Sequence, residues 1–127
     1  MLTAASSIPL HSAFVTSGAR GWAAYYSSGG AIFLRIGNLD YGTTAIDLSE
    51  IQHVSPPPGA EGERTRVSAG DILVSITGDT GMVGLVPPAF PQAYINQHIA
   101  LLRPSPRICQ QYLAMFCVLS ARLRDLS

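Results

Sequence analysis

The sequence is 127 residues long, 47% hydrophobic and 13% charged, and its eight basic and eight acidic residues cancel to zero net charge. That length bounds one domain with a real core, and the low charge excludes an extensively disordered chain. The neutral balance does not advertise a polyanionic partner, no run of about eighteen uncharged apolar residues marks a membrane span, and MLTAASSIPLHSAF lacks the basic start of a signal peptide, so a cytoplasmic protein without membrane contact is expected.

Every basic residue is arginine. Two readings stand: arginine's planar fork reads guanine or clamps phosphate, or a GC-rich genome has replaced lysine throughout. Either way no amine is available for Schiff-base or Ser-Lys chemistry.

Met1 to Ser17 is weakly patterned and reads as an irregular lead-in or a short helix. SGARGWAAYYSSGG follows, with Arg20, Trp22, Tyr25 and Tyr26 bracketed by glycines. Arginine interleaved with aromatics can stack on bases and touch phosphates, and the competing reading makes Trp22 and the tyrosines packing residues. In AIFLRIGNLDYG, Ile32, Leu34 and Ile36 alternate with Phe33 and Arg35, which predicts a strand over 31–37 ending at Gly37-Asn38. Asn38 there is a turn former or an adenine reader.

Leu48 to His53 reads as a short helix capped by Asp47 or Ser49, whereas the prolines and glycines of SPPPGAEGE predict a loop without regular structure. Arg64 and Arg66 emerge from that loop. The stretch VSAGDILVSITGDTGMVG predicts a strand over 71–77 with one face in the core, then a return strand over 82–86. Between them the glycine-bounded tip carries Thr77, Asp79 and Thr80, short polar groups on a rigid apolar base that suit recognition. QAYINQHIALLRP predicts a further strand over 93–102, with Asn96-Gln97-His98 as a polar cluster inside or at the rim of the fold. From Ile108 the apolar spacing becomes three and four residues, which predicts a helix over 108–124. Cys109 and Cys117 lie within it without a metal-binding spacing and read as small buried hydrophobes.

These elements give an α/β fold of the α+β type: a twisted, mostly antiparallel sheet of short strands with a C-terminal helix. No His, Cys and carboxylate set has ligand spacing, so neither metal nor cofactor is expected. VSAGDILVS is similar to a strand of small β-rich serine peptidases, but those need an activating lysine, and no GxSxG elbow supports a Ser-His-Asp arrangement with His53 or His98. No enzymatic activity is expected.

FLRIGNLD, GERTRVSAGDILVSITGDTGMVGLVP and AYINQHIALLRP, followed by a QYLAMF helix, resemble a target recognition domain of the specificity subunit of type I restriction-modification enzymes. The likeness runs from about Ser17 to Leu119 in the expected order. It implies a non-catalytic module that reads one half of a bipartite site in double-stranded DNA and directs methyltransferase and restriction subunits to it. The chain departs from the family pattern in having a single recognition domain, residues 1–127, and is expected to be truncated at its C-terminal end. The alternative is a non-catalytic interaction domain that self-associates as a homodimer or binds a partner subunit.

The resulting candidate DNA-binding residues are Arg20, Tyr25, Tyr26, Arg35, Asn38, Arg64, Arg66, Thr77, Asp79 and Thr80. Arg64 and Arg66 are expected some 30 to 40 Å from the tip along an extended strand, on phosphates or a partner subunit. Arg20, Arg35, Asn38, Thr77, Asp79 and Thr80 are expected near the bases.

Overall fold

The computed structural model describes residues 13–104. They form eight strands, β1 (Ala13–Ser17), β2 (Tyr26–Ser27), β3 (Ala31–Leu34), β4 (Gln52–Val54), β5 (Ile72–Ser75), β6 (Val83–Leu85), β7 (Ala93–Ile95) and β8 (Ile99–Pro104), and one short helix, α1 (Ala60–Thr65). Two 3-10 turns, Trp22–Tyr25 and Ile36–Asn38, complete the regular structure of this region. The strands make two four-stranded sheets, ordered β1-β8-β5-β6 and β2-β4-β3-β7. The first is antiparallel throughout, while the second includes one parallel pair, β3 with β7. The α+β class therefore holds, with two sheets where one was expected.

Alternation explains how the sheets pack. Ile32 and Leu34 of β3 join Ile95, Leu73, Ile99 and Leu101 in the main core, which draws side chains from both sheets. Phe33, on the opposite face of β3, packs with Trp22, Val54 and Tyr94 in a second cluster. The Trp22 ring lies 5.7 Å from Phe33 and 5.5 Å from Tyr94, and its indole N–H donates to Glu61 Oε1 at 2.8 Å. Trp22 is thus a core residue, with its polar atom satisfied as a buried indole requires.

Strand β5 departs from the one-faced pattern. Ile72 and Leu73 are both fully buried, Leu73 in the main core and Ile72 in a third cluster with Val83. Both faces of this strand are covered, so its apolar run is continuous where an edge strand would alternate.

Four sequence expectations are corrected. The stretch 93–102 is two strands in different sheets, because Asn96 Oδ1 accepts from the His98 backbone N–H at 3.0 Å and turns the chain between β7 and β8. Residues 48–53 are not helical, and Gln52–Val54 instead pairs between β2 and β3. The loop after the prolines contains α1, whose first turn carries Glu61 and Glu63 at the favourable end of the dipole and whose Thr65 hydroxyl donates back to Glu61 O at 2.8 Å. The lead-in also ends in a strand, since β1 pairs along its length with β8. The helix expected over 108–124, with both cysteines, lies outside the described residues.

Candidate nucleic-acid interface

Three chain segments that are distant in sequence meet at one end of the two sheets: the β5–β6 tip, the stretch from the Ile36–Asn38 turn to Tyr41, and the 96–98 corner. The tip is pinned at its base by Ser75, whose buried hydroxyl donates to Asp79 O at 2.6 Å and accepts from the Met82 N–H at 2.9 Å. Gly78 and Gly81 have φ of 67° and 89°, left-handed conformations that let the tip close without a Cβ clash. The Tyr41 hydroxyl donates to Thr80 O at 2.9 Å, and the Thr77 hydroxyl is hydrogen-bonded to His98 Nδ1. Exposed Thr77, Asp79 and Thr80 therefore project from a braced ribbon.

Beside that ribbon lies a cleft of about 420 Å³ lined by Arg35, Ile36, Gly37, Asn38, Glu50, Asn96 and His98. Asn38 organises one wall. Its Oδ1 accepts from the Arg35 backbone N–H at 2.9 Å, and its Nδ2 donates to Asp47 O at 2.9 Å and Glu50 O at 3.0 Å. Only 3% exposed, the Asn38 amide is engaged inside the fold and acts on the cleft by positioning Arg35 and Glu50.

Truncating it by Asn38→Ala is expected to cost about 2 kcal/mol or more, because one N–H and two carbonyls lose their partner. Asn38→Asp should cost still more, since it turns an acceptor oxygen onto two carbonyls. Urea unfolding of the two variants checks this ranking.

The adjoining loop is tied by Asp47, whose Oδ1 accepts from the Ser49 N–H at 2.9 Å. That backbone bond, with a side-chain bond to Ser49, holds the Asp47 carboxyl below its ordinary value of 3.8 against a small opposing effect of burial. A folded-state value below the unfolded one stabilises at pH above 3.8 and is lost as pH falls through the folded value. The Glu50 loop should hence be insensitive to pH near neutrality and loosen only in acid, which amide exchange across 47–50 would register.

Arg20 is exposed and adjoins the same end, because its neighbour Ala19 bridges to Asn96. Of the ten candidate residues, Arg35 and Asn38 line the cleft, Thr77, Asp79 and Thr80 lie on the ribbon, and Arg20 follows the residue that bridges to Asn96. Tyr25 and Tyr26 are 43% and 41% exposed on the 3-10 turn and β2, with Tyr26 packed against Phe33 at 5.8 Å.

Arg64 is engaged within the fold: its guanidinium bonds the Thr16 hydroxyl and the Ser17 carbonyl and lies 3.7 Å from Glu61. Arg66 is exposed; the chain turns at Ser68–Asp71, and Arg66 bridges to Tyr94, two residues ahead of Asn96 in the cleft lining.

Glu50, Asn96 and His98 were not among the nominated residues. Asn96 and His98 are visible as a polar cluster, but nothing in SEIQHV signals that Glu50 lines the same cleft as Arg35. Among the described residues no group of three or more His, Cys, Asp and Glu side chains could hold a metal ion, and no helix is long and apolar enough to cross a membrane.

No protein-family model and no curated protein matches the chain. Solved structures do. The HsdS subunit from Thermoanaerobacter tengcongensis superposes with a TM-score of 0.70 at 15% identity, over 91% of this chain and 27% of that one. A chain from a structure of complex assembly and conformational transition of the type I R-M system gives 0.63 at 15% identity, over 84% of this chain and 25% of that one. The chain therefore spans about a quarter of the length of these relatives and has the target-recognition-like fold of type I restriction-modification specificity subunits.

Proposed function

We propose that this chain is a sequence-specific DNA-recognition module of a type I restriction-modification specificity subunit, without catalytic activity of its own. On this reading it directs methyltransferase and restriction subunits to one half of a bipartite site. The observation that carries it is the convergence, on a fold of this kind, of Arg20, Arg35, Thr77, Asp79 and Thr80 from separate segments onto one end. A two-stranded β-ribbon fits the major groove, and the β5–β6 ribbon presents short polar side chains there with a cleft of donors and acceptors beside it. Tyr25, Tyr26 and Arg66, exposed outside the cleft, are assigned to backbone or partner contacts.

Zero net charge leaves little counterion-release affinity, since that term scales with the phosphates neutralised. The isolated chain is therefore expected to bind duplex DNA weakly, and more tightly once the methyltransferase subunit of its system is supplied. Fluorescence anisotropy with a labelled duplex across a salt series measures both. Tight, salt-insensitive binding by the chain alone would contradict the reading.

A further inference from the structure

Arg35 and Glu50 are opposite charges lining one cleft, and among the described residues neither forms an ion pair. We propose, resting on the DNA-reading role above, that this cleft reads the major-groove edge of a G·C base pair, Arg35 donating to guanine and Glu50 accepting from the cytosine amino group.

Three observations carry this assignment. Arg35 Nε is buried without a hydrogen-bond partner, alone among the side-chain polar atoms of the described residues. An unsatisfied buried donor is unfavourable, so Arg35 gains by moving onto acceptors that a ligand brings. Guanine offers two, O6 and N7, to the fork of an arginine.

The second observation is the carboxylate. A phosphate entering this cleft would meet Glu50 as well as Arg35, and the two charges would cancel. A G·C pair instead presents acceptors on one base and an amino donor on the other, which matches a cation and a carboxylate held apart. The third is how they are held: the single buried Asn38 amide bonds the Arg35 backbone N–H and the Glu50 carbonyl, fixing the distance between the two reading residues. His98 and Asn96 complete the lining, and the Thr77–His98 bond couples the cleft to the ribbon tip.

The test is selection of duplexes from a randomised library by the full chain assembled with its methyltransferase subunit, at fixed salt, for wild type, Arg35→Lys and Glu50→Gln. The wild type should select a motif containing a G·C pair. Arg35→Lys keeps the charge but loses the fork, so preference for that pair should fall at least about tenfold while other positions hold. Glu50→Gln should relax the same position. Glu50 is exposed, so this variant remains informative even if Arg35→Lys does not fold.

A wild-type motif that neither variant alters would overturn the inference while leaving the DNA-reading role intact. So would an Arg35→Lys variant that binds and selects like wild type, which is the behaviour of a phosphate contact. Absence of any selected motif would overturn both.

Discussion

Gly18→Ala is expected to lower stability by at least about 3 kcal/mol, the upper range for forcing atoms into a packed site. A Cβ at this position would lie 1.8 Å from Asn96 O and 2.5 Å from Ile95 O, all backbone, so no side chain can swing aside. The backbones are locked together because Gly18 N–H donates to Ile99 O at 3.0 Å and Ala19 N–H to Ile95 O at 2.9 Å. Asn96 cannot retreat, since its own N–H donates to Leu34 O at 3.1 Å and its carbonyl accepts from Ile99 at 3.1 Å. Glycine is required here for close approach across the corner where the chain changes sheets. Chemical denaturation checks the figure, and a loss under about 1 kcal/mol would show that the corner yields.

The second large effect concerns Asp71 and Arg103. Asp71 is 1% exposed at its side chain and accepts from Arg103 Nε and an Arg103 terminal nitrogen, each at 2.8 Å, and from the Ser68 N–H at 2.6 Å. The Asp71 hydrogen bonds raise the Arg103 pKa above the usual arginine range, against an opposing effect of burial. A raised value in a cation stabilises at every pH below that range, so the pair contributes throughout the working range.

Removing the two partners should not cost the same. Arg103→Met strands a buried carboxylate and is expected to cost about 3 kcal/mol, the low end for breaking a buried pair because the Ser68 bond remains. Asp71→Asn keeps that bond, and the Arg103 guanidinium, 39% exposed and still donating to Arg66 O, reaches water, so about 1 kcal/mol is expected. Equal losses, or the reverse order in thermal melts, would refute the argument from burial.

These two sites show where sequence reading stops. β3, β5 and β6 were legible because their apolar side chains alternate or run between glycine turns. Gly18 looked like one bracket around an aromatic segment, since the atoms it must clear come from residues nearly eighty positions away. Arg103 lies beside Pro104, and its partner Asp71 is 32 positions away behind Gly70, where an aspartate has the form of a turn residue. The corner at 96–98 was hidden by an apolar pattern that continues across it, and only the Asn96–His98 bond marks the break.

The same limit governs the candidate site. The ribbon tip and Arg35 were legible from glycine spacing and the single cation on a strand. The sequence leaves Asn38 two roles, and its burial among three hydrogen bonds makes it the support of the cleft. Glu50 has no local signal, as it is brought into the same cleft as Arg35 by that amide and by the pairing of β4 with β3.

The most direct test of DNA reading from this end of the fold is a methylation map made with the assembled methyltransferase, comparing wild type, the Thr77→Ala/Asp79→Ala double variant and Arg66→Ala. The double variant is expected to alter or abolish the modified motif, and Arg66→Ala to lower modification about equally at all sites with the motif unchanged. A double variant that modifies the same motif at the wild-type rate would contradict it.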